Sequence, residues 1–423
     1  MAEIRSIEAL QVLDSRGNPT IKVFVRTEKH LGTAIVPSGA STGSREAIEL
    51  RDGKKAYGGK GVAKAVDIIN GKLNKKLRGM KVNEQQKIDA ELRSLDGTDN
   101  KSKLGGNTLL GVSLAVCRAA AAAEGKELHE YIAALYGNKE KPVMPVPLSN
   151  VINGGKHAGN YLKVQEFLLI PHRASSFGEA TQMVTEIYHV LKKIIDEKYG
   201  VGATNVGDEG GFAPQLRTAE EALNLIAQAI DKAGYRRHVA IGMDVAASSN
   251  YSQGAYDMGV SFSYKELIQY YERLLEKYNI KSIEDPFDEN DIPAWAEFMG
   301  ATRKRKLQVV GDDLTVTNPV QVRIAEEKKL CNAMILKVNQ IGTLSEALEA
   351  ARIAMNYGWQ IIVSHRSGDT EDTFIADLAV GIGATQIKLG APCRAERTSK
   401  YNRLLEIEAG LKKKHYAGKS LKF

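Results

Sequence analysis

Apolar and polar residues alternate along the first thirty positions of the chain. IRSIEALQVLDS (4–15) and TIKVFVRTE (20–28) show the period of two expected of half-buried strands, and RGNP (16–19) between them is turn chemistry. Beyond PSGASTGSR (37–45) the apolar spacing lengthens and predicts helices over 61–79, 83–95 and 106–124. Strands followed by helices predict an α+β unit over residues 1–138. It ends in YGNKEKPVMPVP (136–147), a stretch rich in Pro, Gly and charge.

From residue 139 the pattern changes. Short apolar runs appear: KVQEFLLIP (163–171), VAIGMD (239–244), IKSIED (280–285), LQVVGDD (307–313), AMILKVN (333–339), WQIIVSHRS (359–367) and TQIKLG (385–390). Amphipathic segments of helix length alternate with them at 218–233, 263–278, 343–357, 372–381 and 394–411. Alternating strand and helix predicts a parallel sheet with right-handed crossovers, and this much repetition favours closure. The expected fold class is α/β: a TIM-type (β/α)8 barrel over 139–423 with a smaller N-terminal α+β domain. Residues 145–171 hold two strand-like runs with no helix between them, so the barrel is expected to be irregular at its start.

Composition supports a folded chain: 43% hydrophobic residues, 26% charged and only 11 prolines in 423. The net charge of +7 raises the question of nucleic acid. However, the 58 lysines and arginines are mixed with 51 aspartates and glutamates. The basic runs KLNKKLRGMK (72–81), RKRK (303–306) and KKK (412–414) carry no interleaved aromatics, so they read as solvated surface and no nucleic-acid partner is expected. Cys117, Cys331 and Cys393 are far apart, which suits a reducing compartment and argues against structural zinc. The charged start MAEIRSIEAL is unlike a signal peptide, and GVSLAVCRAAAAAEG (111–125) is too short to span a bilayer. The expectation is a cytoplasmic protein without membrane insertion.

The chemistry lies where the late apolar runs stop. Asp244, Glu284, Asp312, Lys337, His365 and Lys388 each stand at the end of one, spaced close to one strand–helix unit apart. Strand C-termini meet at one mouth of a barrel, and such mouths carry the active site. Asp244, Glu284 and Asp312 would repel one another unless a hard cation joined them. Oxygen-only ligands favour Mg²⁺, or Mn²⁺, over zinc. Asp285 and Asp313, one residue further on, read as N-caps of the following helices. Lys337 has two readings: a base whose amine accepts a proton, or a salt-bridged cation that neutralises the carboxylates. GDEGGFAP (207–214) sets Asp208 and Glu209 on a glycine-flanked loop. NGGKHAGN (153–160) sets His157 on another, followed by Gln165 and Glu166 on a strand. SHRSG (364–368) and Lys388 offer cations and a hydroxyl suited to phosphate or carboxylate. PSGASTGS (37–44) lacks the P-loop lysine and reads as a lid.

Several longer strings resemble the enolase family: DSRGNPT (14–20), VPSGASTG (36–43), NVINGGKHAGN (150–160), NVGDEGGFAP (205–214), SIEDPF (282–287), GDDLTVTNP (311–319), LKVNQIGTLSEA (336–347), VSHRSG (363–368) and GAPCRAER (390–397). The resemblance runs end to end and has an archaeal look. It implies reversible dehydration of 2-phospho-D-glycerate to phosphoenolpyruvate. By position it implies Lys337 as the base at C2, and Glu209 as the acid at the C3 hydroxyl, assisted by Glu166. His157 closes over the substrate, which Gln165 also contacts. Arg366 and Ser367 hold the phosphate and Lys388 the carboxylate. It also implies two Mg²⁺ per site, one on Asp244, Glu284 and Asp312, the other between the phosphate and Ser41. The enolase superfamily is itself the standard worked case of a Lys or His base beside Mg²⁺, so that pairing comes with the resemblance. A homodimer or homo-octamer is expected from the family.

Departures are few. Asp369 stands where family members often have Glu, and LGGNTLLGVSLA (104–115) replaces a commoner LGANAILGVSLA. Other acid dehydratases or racemases of the superfamily are the alternative; Ser41, Glu209, Arg366 and Ser367 favour a phosphorylated substrate. A surface-displayed role binding host proteins is a further alternative. The ending SLKF, with no terminal lysine, weakens one version of it.

Overall fold

In the computed structural model, which describes residues 2–40 and 42–422, the N-terminal alternation becomes an antiparallel meander. Its strands are β1 (Ser6–Leu13), β2 (Pro19–Arg26) and β3 (Leu31–Ile35). Ile7, Ile21, Val23 and Val25 turn inward and are fully buried. Helix Gly106–Ala123 lies on that face. It approaches closely because the contact is built from small residues: a Cβ on Gly32 would meet Ala115 O at 2.0 Å, and one on Gly111 would meet Val23 Cγ2 at 2.6 Å. This helix is long and apolar enough to cross a membrane by composition, but 83% of it is buried in the protein core, which accounts for its apolarity.

The predicted helix over 61–79 is broken in three: Ala63–Ile68, a π turn at Ile69–Leu73, and Asn74–Leu77. The irregularity serves β1, an edge strand. Asn70 Oδ1 accepts the Ala9 N–H at 2.7 Å and Asn74 Oδ1 accepts the Ile7 N–H at 2.8 Å, so the open edge is covered by side-chain amides. Helices 83–95 and 106–124 appear as Gln85–Asp96 and Gly106–Ala123. In the N-terminal part β3, which is only five residues long, and helix Leu128–Tyr136 were not predicted, nor in the barrel were helices Phe177–Tyr199, Ile292–Thr302 and Pro319–Glu327. Helix Leu128–Tyr136 packs on barrel helix Phe374–Ile382, where Gly381 leaves room for Ile132.

Eight strands close into a barrel: β4 (Val146–Asn153), β5 (Glu166–Ile170), β6 (Ala240–Asp244), β10 (Ile280–Glu284), β11 (Gln308–Gly311), β12 (Ala333–Leu336), β13 (Gln360–Ser364) and β14 (Gln386–Lys388). Between β6 and β10 a small separate sheet holds β7 (Tyr251–Ser252), β8 (Ala255–Asp257) and β9 (Ser261–Phe262). The expected all-parallel sheet is corrected at one strand: β5 runs antiparallel to both β4 and β6. No crossover helix joins β4 to β5, so the chain reverses. The order is regained through two helices, Phe177–Tyr199 and Ala219–Lys232, between β5 and β6. The predicted irregular start is this reversal. Its consequence is positional: β5 presents its first residue, not its last, at the mouth where the other strands end.

Helices begin where side chains can cap them. Thr218 with Glu221 and Ser263 with Glu266 form reciprocal capping boxes at Ala219–Lys232 and Tyr264–Lys277. Asp285 and Asp313 do not cap, contrary to expectation. The helices that follow, Ile292–Thr302 and Pro319–Glu327, are capped by Asp291 and Asn318.

Candidate active site

Seven strands bring ionisable residues to the mouth. Glu284 and Asp244 are register partners on β10 and β6, and Asp244 is also paired with Glu166 on reversed β5. Asp312 follows β11, Lys337 follows β12, His365 and Arg366 follow β13, and Lys388 ends β14. Most of these side chains stand just past a buried, largely apolar stretch, while Ser282, Gln308, Gln360 and Gln386 bond one another deeper in the barrel. His157, Gln165, Glu166, Glu209, Lys337, Arg366, Ser367 and Lys388 line one narrow cleft, nearly filled by their own side chains. A larger surface cleft beside helix Gln85–Asp96 holds none of them, and its charges are paired internally, Lys101 to Glu346 at 3.0 Å and Arg323 to Glu349 at 3.4 Å.

The carboxylates are partnered by ammonium groups. Lys388 Nζ lies 3.0 Å from Asp244 Oδ2, 2.8 Å from Glu284 Oε2 and 3.0 Å from Glu166 Oε2. Lys337 Nζ rests on Asp312 Oδ2, and Gln340 Nε2 donates to the other oxygen at 2.8 Å. Burial pulls the Lys337 amine down, but Asp312 outweighs it and holds it above the ordinary lysine range. Burial, reinforced by Asp244, pushes Glu284 well above the usual carboxylate range. Asp285 supports this layer from below. Its carboxylate accepts the backbone N–H groups of Asp312 at 2.9 Å and Asp313 at 2.8 Å, which fixes the turn that presents Asp312.

A second group lies beside this layer. One ligand atom each of His157, Glu166 and Glu209 lie within 4.8 Å of one another. Burial, then the Glu209 charge, push Glu166 well above the carboxylate range. Burial also presses on Glu209, but His365, His157 and Arg397 hold it well below. The environment therefore drives the pair apart, Glu166 toward its neutral form and Glu209 toward the carboxylate. Asn150 on β4 donates to Glu209 Oε2 at 3.0 Å, and His365 Nε2 lies 3.4 Å from the same oxygen. Arg397, fully buried, approaches His365 Nδ1 at 2.6 Å and can only donate, so Nδ1 is the acceptor and Nε2 carries the hydrogen toward Glu209.

The N-terminal domain completes the wall. Arg366 donates to both oxygens of Glu46, at 2.9 and 3.1 Å, and to Asn339 Oδ1 at 3.0 Å. Ser38 exchanges two backbone hydrogen bonds with Gly368, at 2.7 and 2.9 Å, tying the suspected lid to the Ser367 loop. Ser41, the expected ligand of a second cation, lies outside the described residues. Asp369 keeps a structural place despite the shorter side chain, 3.1 Å from Lys400 and 3.5 Å from Arg397.

The donor chemistry at the mouth suits a metal. Asp244, Glu284 and Asp312 offer oxygen only, are nearly sealed from water, and crowd two ammonium groups with further carboxylates around them. Such a surplus of buried negative charge fits a hard divalent cation. The three do not group about a single point here, because Lys388 lies on Asp244 and Glu284. Among the described residues, the mouth carboxylates whose oxygens do group within 4.8 Å are Asp285, Asp312 and Asp313. Sequence reasoning missed Glu46, Asn150, Gln340 and Arg397, whose partners are distant in the chain. Asn150 was legible only as the first residue of NVINGGKHAGN.

Fold and site together define a class: an α/β-barrel enzyme with buried amines and clustered carboxyls at its mouth. Comparison with known proteins narrows it. A family described as "Enolase, C-terminal TIM barrel domain" matches residues 141–423, and "Enolase, N-terminal domain" matches residues 4–132. The protein "Enolase" of Mastigamoeba balamuthi is 53% identical over 436 residues, which cover 100% of this chain and 99% of that protein. The chain belongs to the enolase family of glycolytic lyases.

Proposed function

We propose that this site removes water reversibly from 2-phospho-D-glycerate to give phosphoenolpyruvate, with Lys337 taking the C2 proton and Glu209 serving the C3 hydroxyl. One observation carries the reading. The amine at the end of β12 and the carboxyl pair Glu166/Glu209 line the same cleft, so a base and an acid can act on neighbouring carbons of one bound molecule. Glu209, favoured as a carboxylate, would need to draw a proton from Glu166, which is favoured neutral, to protonate the departing hydroxyl; His157 lies beside both at 3.6 and 3.5 Å. Gln165 Oε1 and His157 Nδ1 are buried without hydrogen-bond partners among the described residues, which suits groups kept for a substrate. Arg366 and Ser367 are assigned to the phosphate and Lys388 to the carboxylate.

Asp244, Glu284 and Asp312 would hold Mg²⁺, or Mn²⁺, with a second ion on Ser41 and the phosphate. When bound, such cations stabilise negative charge building on the substrate carboxylate and offset Asp312, leaving burial to lower Lys337. The gap between the two family matches supports a domain boundary at 138/139. Cytoplasmic location and homo-oligomeric assembly, as dimer or octamer, complete the proposal on family grounds.

The test follows phosphoenolpyruvate by ultraviolet absorbance on mixing protein, 2-phosphoglycerate and Mg²⁺, with and without chelator. Product only with metal is expected. A folded, metal-loaded protein that makes none acts on another acid. Glu209→Gln is expected to stop dehydration while exchange of the C2 proton with solvent continues. Loss of both would show that Glu209 is not the acid alone.

A further inference from the structure

The barrel face opposite the active site gathers charge that the linear sequence scatters. Segments 139–145, 231–239, 276–281, 303–307 and 326–332 lead into β4, β6, β10, β11 and β12, and 171–175 leaves reversed β5. The C-terminal segment 411–422 closes beneath them through the backbone bonds Met144 N–H to His415 O, 2.7 Å, and Ala417 N–H to Met144 O, 3.0 Å. These seven segments hold nineteen lysines and arginines against five aspartates and glutamates. The whole chain is only +7, so the rest of the molecule carries net negative charge.

Nearly all of these cations are exposed, Lys281 being half-buried. Among the described residues only three have a carboxylate within 4.0 Å: Arg236 with Asp231, Arg305 with Glu276, and Lys329 with Glu326. Lys306 and Lys329 keep their charge at left-handed backbone positions, φ +52° and +55°, where glycine would be unstrained. None of the exposed large apolar side chains falls in these segments. A protein partner would lack an apolar anchor here, and a membrane would lack an inserting group. Among the described residues Tyr278 and Tyr416 are buried, Tyr235 is half-buried, and Tyr357 on the neighbouring loop into β13 is a single exposed ring, so this rim offers no series of rings on which successive single-stranded bases would stack. What remains is recognition of regularly spaced phosphates.

We propose that this rim is a second, non-catalytic face that binds the phosphate backbone of double-stranded nucleic acid by charge, without reading bases. It revises the reading of RKRK (303–306) and KKK (412–414) as separate solvated runs, since the fold sets them on one face. Binding would release counterions, so affinity should fall linearly on a log–log plot against salt.

The test is fluorescence anisotropy of a labelled mixed-sequence RNA duplex titrated with the full chain at several KCl concentrations. Steep salt dependence and indifference to sequence are expected. Combined Lys304→Glu, Lys306→Glu and Lys413→Glu should weaken binding by about tenfold or more at low salt, with dehydration unchanged. Lys72→Glu, Lys75→Glu and Lys76→Glu make the same charge change in the N-terminal domain and should leave binding within about twofold. Should the first variant fold poorly, Lys412→Glu with Lys414→Glu on the tail replaces it. The proposal is overturned by no binding at low salt, by equal losses in rim and control variants, or by tighter capture of polyglutamate or phosphatidylserine vesicles than of duplex.

Discussion

The two rims of the barrel use charge in opposite ways. At the mouth, Glu166, Glu209, Glu284 and Lys388 are no more than 2% exposed, and each lies against opposite charge or a hydrogen-bond donor. At the opposite rim the lysines and arginines stand in water and mostly alone. A charge taken out of water must be partnered, so removing either member is costly and its protonation becomes tunable. A charge left in water is individually cheap, and only the sum over many has meaning. The same residue type is therefore held in close partnership on one face and sets a field on the other.

That contrast can be broken or sharpened by measurement. The largest effect should come from Lys337→Ala, which is expected to lower turnover by about a thousandfold or more and abolish solvent exchange of the C2 proton. Retained exchange would make Lys337 a neutralising cation and restore its alternative reading. Lys388→Met leaves three buried carboxylates without their shared ammonium. It should cost about 3–5 kcal/mol in urea unfolding with chelator present, partly recovered with Mg²⁺.

Acid should weaken the mouth next. Burial, with Arg397 adding and Glu209 opposing, pushes His365 from 6.5 down to about 4. The native state then binds fewer protons than the unfolded chain between those values. Stability from this group is complete above pH 6.5 and is lost as pH falls toward 4, by on the order of 3 kcal/mol. Urea midpoints at pH 7 and 4.5, compared with those of His365→Asn, would show it; an unchanged difference would refute it. The smallest effect belongs to the other rim: Lys304→Glu with Lys413→Glu should move unfolding stability by no more than about 0.5 kcal/mol. A large loss there would mean those cations are structural, and the contrast between rims would fail.

Much of this was readable before folding. Capping boxes such as Thr218/Glu221 and the apolar runs ending at Asp244, Glu284 and Lys388 depend on neighbours a few residues apart, so their pattern survives in the linear chain. The reversal of β5 was legible only as a missing helix between 145 and 171. The tie of Asn70 and Asn74 to β1 was not legible at all, because it spans some sixty residues.

By itself, the sequence determined six of the barrel strands and which ionisable residue ends or follows each of them. Period and spacing are local properties, and a barrel sends equivalent strand ends to one mouth. Only the tertiary structure decided the partners: Lys388 on the carboxylates of β5, β6 and β10, Glu46 across the domain boundary on Arg366, and Arg397 setting the tautomer of His365. It alone gathered seven segments with a net positive charge on one face. Partnership and protonation follow from burial and distance in space, and those quantities come into being only when the chain closes on itself.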